Sequence, residues 1–400
     1  MGAVILPDAA WRRRPGLDRV IDALVDCRFV GGAVRDTLLG LDVADVDLAT
    51  PLEPADVVRR LEAAGVKAVP TGIAHGTVTA VANGHPVEVT TLRRDVSTDG
   101  RHAVVAYTDS WREDAARRDF TINALYAEPA SGVIHDYFAG LTDLKARRVR
   151  FIGDALQRIA EDHLRILRFF RFHARFGDVV DVDGLTACAA RANDLMALSR
   201  ERIAAELLKL LVAPKAVDVV RLMVAHGIFA PVLPEINAAG TDRLAGLASR
   251  EAAAGVAPDA IRRLAALVAP AAAEAVGARL KLSNADRKRL EGATAGAGTE
   301  GARALAYRVG PQMAADRLLL AGEDPRVIAD WVPPRLPLSG GALVERGLVQ
   351  GPAVAAALKA LESRWIAEGF PAQSRVEELA DAAVAAAIRD QALSASSGRP

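Results

Sequence analysis

The spacing of hydrophobic positions changes character near residue 154 of this 400-residue chain. Before that point, short apolar segments with a period of two predict β-strands, and helical segments lie between them. Beyond it, apolar positions recur at helical spacing, alanine becomes frequent and β-branched alternation nearly disappears. The pattern therefore predicts an α+β fold, with a mixed head followed by an all-helical region.

Within the head, periodicity predicts four strands and two helices: strands at 28–30, 45–50, 77–81 and 86–92, and helices at 33–39 and 54–64. Asn83-Gly84 separates the last two strands and is typical of a tight hairpin. Residues 93–111 lose the pattern, and we expect a mobile loop around Asp99-Gly100.

The helical region begins with two long candidate helices. One covers 154–174 and the other 199–212, where Ser199 is a favourable N-cap. Shorter Ala- and Leu-rich helices follow, and a proline cluster near residue 335 marks a boundary. We predict five parts: a head at 1–150, a neck at 151–215, a body at 216–332, a tail at 333–390 and a disordered end at 391–400.

The composition limits the kinds of binding partner and the cellular compartment that are expected for this chain. The 50 basic and 50 acidic residues balance, so any surface that binds a polyanion must be local. Cys27 and Cys188 are the only cysteines, which excludes a disulfide framework and favours a reducing, cytoplasmic compartment. Pro7 and Asp8 interrupt the N-terminal apolar run, so no signal peptide is expected. No apolar run reaches the roughly 20 residues that cross a bilayer, and no protein partner is evident.

The first candidate site lies between two predicted strands. Gly31 and Gly32 precede the first helix and would let backbone N–H groups approach a phosphate. Asp45 and Asp47 would share one face of a strand, which is unfavourable unless a cation such as Mg²⁺ lies between them. Glu88, placed on an inner face, is the candidate third carboxylate around two Mg²⁺ ions. Alternatively, the aspartates only end a strand and Glu88 is a surface residue.

A second group of polar residues follows residue 116. Arg117, Arg118, Asp119 and Asn123 suit a triphosphate and a ribose hydroxyl. The alternative is a charged helix start that Asp119 caps. Arg35, on the first helix, either binds a phosphate or braces the carboxylate cluster by a bidentate pair. The alternative is a simple ion pair with the neighbours of Asp36.

Asp162 and Arg165 lie three apart on the predicted long helix, so they would share a face. A carboxylate accepts from an exocyclic amine, and a guanidinium donates to a ring nitrogen or a carbonyl oxygen. The pair would therefore accept cytosine and adenine and reject uracil and guanine. The alternative is a simple ion pair on a solvated helix face.

Basic residues concentrate around this helix and form a local candidate surface for a polyanion. We assign Arg168 to the nucleotide, and Lys145, Arg147 and Arg171 to RNA. The cations of the segment are Lys145, Arg147, Arg148, Arg150, Arg158, Arg165, Arg168, Arg171 and Arg175. The aromatic residues among them, Phe169, Phe170, Phe172 and Phe176, recur at helical spacing and are expected in the core.

Together these segments resemble, in order, the motifs of class II CCA-adding enzymes, within the tRNA nucleotidyltransferase/poly(A) polymerase family. The stretch from Gly31 to Asp47 resembles the signature of nucleotidyltransferases with a polymerase-β-like palm. Residues 88–91, 117–125 and 161–169 resemble the family's further motifs, 136–145 its connector between head and neck, and 199–209 its neck helix. The resemblance is strong over residues 25–215 and weak beyond.

The resemblance implies template-independent addition of C, C and A to the tRNA 3′ end from CTP and ATP, with two Mg²⁺ ions. It implies that Asp45 and Asp47 hold the metals, that Glu88 assists, and that Asp162 and Arg165 act as a protein template. Nucleotide contacts are expected from Gly31, Gly32, Arg35, Arg117, Arg118, Asp119, Asn123 and Arg168. The alternatives are a poly(A) polymerase or an A-only or CC-only enzyme of the same family, a sugar-nucleotide glycosyltransferase, and a non-catalytic RNA-binding protein.

Overall fold

The computed structural model describes residues 3–73, 76–98 and 103–397, with the backbone alone at 95–98, 103–105 and 390–397. The chain forms two compact units, Met1–Thr241 with Ala278–Leu282, and Asp242–Gly277 with Ser283–Pro400. All strands of the described residues belong to the first unit, and the second is helical. This confirms the predicted α+β class, with a sheet in the head and helices after it. Within the described residues, no helix is long and apolar enough to span a membrane.

The strands of the described residues are β1 (Arg28–Val30), β2 (Asp47–Thr50), β3 (Lys67–Gly72), β4 (Thr77–Ala82), β5 (His85–Thr91), β6 (Arg93–Thr98), β7 (Ala103–Tyr107), β8 (Leu125–Ala127) and β9 (Ile134–Asp136). Seven form one mixed sheet in the order β3-β4-β5-β2-β1-β8-β9. In it β2 and β5 run parallel, and the other neighbours are antiparallel. Asn83 and Gly84 both have positive φ, so the hairpin prediction is confirmed.

The first unit carries the helices α1 (Leu17–Leu24), α2 (Gly32–Leu38), α3 (Pro54–Ala63), α4 (Trp111–Ala116), α5 (Gly140–Lys145), α6 (Ala155–Glu161), α7 (Arg165–Phe176), α8 (Val182–Ala190), α9 (Arg200–Leu211) and α10 (Ala216–Ala225). Ser199 caps α9, because its hydroxyl accepts the Arg202 N–H, as predicted. The four phenylalanines of α7 are buried, so their placement in the core is confirmed.

The remaining helices are α11 (Ala238–Ala254), α12 (Ala260–Leu267), α13 (Ala273–Arg279), α14 (Asn284–Ala293), α15 (Ala302–Val309), α16 (Pro311–Ala321), α17 (Gly340–Glu345), α18 (Pro352–Ala367) and α19 (Gln373–Ser397). Trp365 is buried in the core of the last three helices and packs edge-on against Phe370. The predicted disordered end is wrong over 391–397, where α19 continues because its Ala-rich sequence has high helix propensity. The five-part division of the chain stays our proposal.

Three predictions in the first unit are corrected. The helix expected at 154–174 is two helices, α6 and α7, because Asp162 adopts an extended conformation (φ −150°, ψ 106°) between them. Strand β2 begins at Asp47, so Asp45 precedes it. Residues 93–111 hold the antiparallel strands β6 and β7 rather than a loop, and Asp99-Gly100 lies outside the described residues. Val104, Val105 and Tyr107 favour extended backbone, which is consistent with a strand here. The two strands pair locally with each other and are too short to show a clear period of two in the sequence.

Candidate active site

The carboxylates cluster where β2 and β5 run side by side. Asp47 lies opposite Glu88 in the parallel register, and the Glu88 N–H donates to the Val46 carbonyl at 3.1 Å. Asp47 is half-buried, whereas Asp45 and Glu88 are exposed. The inner-face placement of Glu88 is therefore wrong, because Val87 and Val89 are the β5 residues that face the core. Burial, reinforced by Glu88, raises the pKa of Asp47 to about 6 although Arg118 opposes the shift.

This donor set fits a divalent cation in chemistry but is not a closed ligand cluster. Among the described residues, no three Asp, Glu, His or Cys side chains converge as a ready-made metal site. Asp45 and Glu88 are nevertheless near enough to Asp47 to raise its pKa by repulsion. Carboxylate oxygens are the ligands that Mg²⁺ prefers, and a cation between them would relieve that repulsion. Asp45, Asp47 and Glu88 therefore fit the predicted ion by donor type.

A glycine turn connects β1 to α2 beside these carboxylates. Gly31 has φ 67° and ψ −119°, a conformation that residues with a Cβ rarely adopt. A Cβ there would lie 3.6 Å from Arg118 Nη1 and 3.8 Å from the Asn123 carbonyl oxygen. The turn therefore brings the backbone close to Arg118 and Asn123, two of the residues that are predicted to bind the triphosphate and the ribose.

Arg35 is buried and forms an ion pair with Asp36 itself rather than with the neighbours of Asp36. Its Nε donates to Asp36 Oδ1 at 2.8 Å, and its Nη1 donates to Asn123 Oδ1. The guanidinium also stacks over the Phe176 ring, 4.3 Å from its centroid. These contacts tie α2 to α7 and to the segment after α4, and the guanidinium still borders the cavity described below.

Asp119 is the centre of a hydrogen-bond network rather than a helix cap. The Arg117–Asn123 segment follows α4, so the interpretation as a helix start is wrong. Asp119 Oδ1 accepts from the Phe120 N–H at 2.8 Å and from Asn123 Nδ2 at 2.9 Å. Its Oδ2 accepts from Arg168 Nε at 2.7 Å and Nη2 at 2.5 Å. Although burial opposes it, the Arg168 guanidinium holds the pKa of Asp119 below its usual value.

Asp162 and Arg165 lie at the break between α6 and α7 and do not pair with each other. Arg165 Nη1 donates to Glu161 Oε2 at 2.7 Å, and its Nη2 donates to the Arg117 carbonyl at 2.9 Å. Asp162 accepts from Arg202 Nη2 at 3.2 and 3.3 Å. The interpretation as a simple ion pair is therefore wrong, since each side chain has other partners. Sequence reasoning missed Glu161 and Arg202 as partners, although both lie within the segments that carried the resemblance.

These elements enclose a polar cavity of about 350 Å³. It is lined by Gly31, Gly32, Arg35, Asp47, Arg117, Arg118, Asp119, Asn123, Asp162, Arg165, Arg168 and Phe172. Eleven of these twelve are predicted site residues. Phe172, assigned to the core, is the addition, and its ring centroid lies 5.3 Å from the guanidinium carbon of Arg168. Asp45, Glu88, Lys145, Arg147 and Arg171 do not line the cavity.

The predicted basic surface is largely compensated by carboxylates. Seven of its nine cations form salt bridges, namely Arg148, Arg150, Arg158, Arg165, Arg168, Arg171 and Arg175. Arg171 Nε bonds Glu206 Oε2 at 2.5 Å and thereby connects α7 to α9. Lys145 and Arg147 are exposed. An RNA role for these three residues stays a prediction.

Known proteins are similar to this chain in sequence and in fold. The Poly A polymerase head domain matches residues 27–150, and the "Probable RNA and SrmB- binding site of polymerase A" matches residues 182–239. The human "CCA tRNA nucleotidyltransferase 1, mitochondrial" is 47% identical over 191 residues, which are 47% of this chain and 44% of that protein. The "CCA-adding enzyme" of Levilactobacillus brevis is 40% identical over 208 residues, 52% of this chain and 51% of that protein. The match thus spans about half the length of these relatives.

Among solved structures, the CCA-adding enzyme of Bacillus stearothermophilus in complex with CTP is similar with a TM-score of 0.71 and 28% identity. That similarity covers 88% of this chain and 92% of the other. The Thermotoga maritima CCA-adding enzyme complexed with tRNA also has a TM-score of 0.71, at 18% identity, and shares the fold over 96% of this chain and 100% of the other. The matched head domain contains Asp45, Asp47 and Glu88 and eight of the twelve residues that line the cavity. In sequence and in fold, the chain is therefore similar to members of the tRNA nucleotidyltransferase/poly(A) polymerase family.

Proposed function

We propose that the chain adds C, C and A to the 3′ end of tRNA without a nucleic-acid template, using CTP and ATP. The observation that carries this proposal is the composition of the polar cavity. It combines Asp47 and the glycine turn with a row of guanidinium groups, and it places Asp162 and Arg165 at its border. The same cavity thus contains groups suited to bind a metal, a triphosphate and a base.

In the proposed reaction, the 3′ oxygen of the RNA attacks the α-phosphorus of the nucleotide. The bond from that phosphorus to the bridging oxygen of the β-phosphate breaks, pyrophosphate leaves, and the hydroxyl proton passes to solvent. CCA-adding nucleotidyltransferases, which the chain resembles, are generally metal-dependent. We assign two Mg²⁺ ions to Asp45 and Asp47, with Glu88 alongside. Such ions supply activation of the attacking hydroxyl and stabilisation of the charge on the leaving group.

The triphosphate and the ribose are assigned to the interior of the cavity. Arg117 and Arg118 supply positive charge for phosphate oxygens, as guanidinium groups suit planar, multidentate recognition of phosphate. Asp119 and Asn123 are assigned to the ribose hydroxyls. Their mutual hydrogen bond and the Arg168 salt bridge hold them in a fixed geometry.

Base choice is assigned to Asp162 and Arg165. A carboxylate that accepts from an amine, beside a guanidinium that donates, matches cytosine and adenine and opposes uracil and guanine. In this structure both side chains are held by protein partners, Asp162 by Arg202 and Arg165 by Glu161. These partners occupy only some of the lone pairs of Asp162 and some of the five N–H donors of Arg165, so both groups retain capacity to bond a base.

The relatives support this assignment of substrates, since their names describe CCA addition to tRNA. We also propose that Lys145, Arg147 and Arg171 contact the RNA and that the protein acts in a reducing, cytoplasmic compartment. The two cysteines are free and buried, which agrees with such a compartment.

The proposal is tested by incubating the protein with Mg²⁺ and tRNA that lacks its last three nucleotides. With CTP alone we expect two additions, and with ATP alone on tRNA ending in CC we expect one. A long A tract would indicate a poly(A) polymerase, while C or A addition alone would indicate a CC-only or A-only enzyme. Consumption of a sugar nucleotide without RNA would indicate a glycosyltransferase.

A further inference from the structure

One edge of the Arg118 guanidinium is held by two residues that do not line the cavity. Its Nε donates to the Tyr126 hydroxyl oxygen at 3.0 Å, and its Nη2 donates to Asp114 Oδ2 at 3.1 Å. The Tyr126 hydroxyl donates in turn to the same Asp114 oxygen at 2.6 Å. The three groups form a closed ring of hydrogen bonds, so the guanidinium cannot rotate without breaking two of them.

Burial makes this ring of hydrogen bonds a rigid support for the Arg118 guanidinium. Tyr126 is fully buried and Asp114 is 1% exposed. The Tyr126 ring packs edge-on against Trp111 and Tyr137, with centroid distances of 5.5 and 6.0 Å. Although burial opposes it, the Arg118 guanidinium keeps the pKa of Asp114 below its usual value, so the carboxylate is charged at neutral pH. Because the tyrosine ring is fixed by packing, its hydroxyl has one position from which to accept the Arg118 N–H.

The opposite edge of Arg118 is directed at the cavity. Its Nη1 lies 3.6 Å from the position of a Cβ on Gly31, and Arg118 lines the cavity together with Gly31 and Asp47. Within the described residues, Nη1 has no hydrogen-bond acceptor, whereas Nε and Nη2 are both engaged. The free N–H groups therefore lie beside the glycine turn, in the cavity that Asp47 also lines, where we place the phosphates.

We propose that Tyr126 is a positioning residue for the nucleotide triphosphate. Together with Asp114, its hydroxyl fixes Arg118 so that Nη1 donates to a phosphate oxygen of the incoming nucleotide, without itself touching the nucleotide. This inference rests on the proposed function and adds a residue to it. The chemistry it recognises is the charge and geometry of the phosphate chain, so it does not distinguish CTP from ATP.

The chain offers a matched pair of variants. Tyr126→Phe removes the hydroxyl and keeps the aromatic ring in its packing. Tyr137→Phe makes the same change in the same aromatic cluster, but the Tyr137 hydroxyl accepts from Arg28 Nη1 at 3.0 Å and not from Arg118. Any general cost of losing a hydroxyl from this cluster is therefore common to both variants.

The test is equilibrium binding of CTP, ATP and CMP to the full-length protein in Mg²⁺. For Tyr126→Phe we expect the dissociation constants of CTP and ATP to rise about five- to tenfold, because one hydrogen bond to a charged group is lost while Asp114 still holds Arg118. CMP should change less than about twofold, and Tyr137→Phe should bind all three like the wild type. Unchanged CTP affinity in Tyr126→Phe, or an equal loss for CMP, would overturn the assignment.

A second comparison separates positioning from a merely structural role. In an Arg118→Lys background, Tyr126→Phe should cause no further loss of CTP affinity, since lysine has no guanidinium edge for the hydroxyl to hold. Additive losses would show that Tyr126 acts elsewhere. A wild-type protein that binds CTP but adds no nucleotide to tRNA would count against the proposed function, while the Tyr126 assignment would still be decided by binding.

Discussion

Replacing Asp119 by asparagine removes the charge at the centre of the site's hydrogen-bond network. Asp119 is 8% exposed and accepts four hydrogen bonds, two of them from Arg168. An asparagine keeps the shape but offers only one acceptor oxygen, and its amide would place donors opposite the Arg168 donors. We therefore expect Asp119→Asn to destabilise the first unit and to release Arg168.

The magnitude follows from the burial of the two partners. Removing one partner of a buried ion pair costs about 3–5 kcal/mol. Here the Arg168 side chain remains 32% exposed, so water partly solvates the charge left behind. We therefore expect a loss of about 2–3 kcal/mol in the free energy of unfolding, below the fully buried case.

The lowered pKa of Asp119 also determines how the stability difference between wild type and Asp119→Asn changes with pH. The pKa of Asp119 is lowered in the folded state, so its stabilisation is fully present above the unfolded-state pKa, near 3.9, and is lost as pH falls through the folded-state pKa. The stability difference between wild type and Asp119→Asn should be largest at pH 6–8 and should shrink below about pH 4.

Urea unfolding, followed by circular dichroism at several pH values, measures this difference. Asp56→Asn is the control, because Asp56 pairs with Arg59 on an exposed helix surface and should cost less than about 1 kcal/mol. A loss below about 0.5 kcal/mol for Asp119→Asn at pH 7, or a loss that does not change between pH 7 and pH 3.5, would show that the Asp119 charge does not stabilise the folded state.

Three further predictions concern the same unit. Asp162→Ala and Arg165→Ala, made separately, should each relax base choice, which incorporation of UTP and GTP relative to CTP and ATP measures; unchanged selectivity contradicts the assignment. Asp45→Ala combined with Asp47→Ala should abolish nucleotide addition in Mg²⁺ while the circular dichroism spectrum is retained, and intact addition would remove the metal assignment. Gly140→Ala should lower the free energy of unfolding by about 1–3 kcal/mol, because its Cβ would lie 2.3 Å from the Thr121 carbonyl oxygen; an unchanged melting temperature argues against this close packing.

The elements that the sequence predicted well are those whose signal is local. The Asn83-Gly84 turn, the Ser199 cap and Pro54 at the start of α3 all depend on residues a few positions apart. None of these local signals predicts that distant segments of the chain meet in one cavity. That expectation came from the resemblance, and the structure brings eleven of those residues together.

The errors occurred where tertiary contacts decide the backbone. Apolar spacing continues through the break between α6 and α7, so periodicity alone indicates one helix. The break is held by the salt bridge from Arg202 to Asp162 and by the hydrogen bond from Arg165 to the Arg117 carbonyl, both long-range. Glu88 lies on the outer face because side chains alternate along β5 and its neighbours Val87 and Val89 are the buried ones.

The proposed function requires that this chain complete tRNA ends with a defined sequence. The most direct measurement supplies CTP, ATP, UTP and GTP at equal concentration, with Mg²⁺ and tRNA that lacks its end, and sequences the 3′ ends of the product. We expect the added sequence to be C, C, A and addition then to stop. Long A tracts, incorporation of U or G, or unextended tRNA would contradict it.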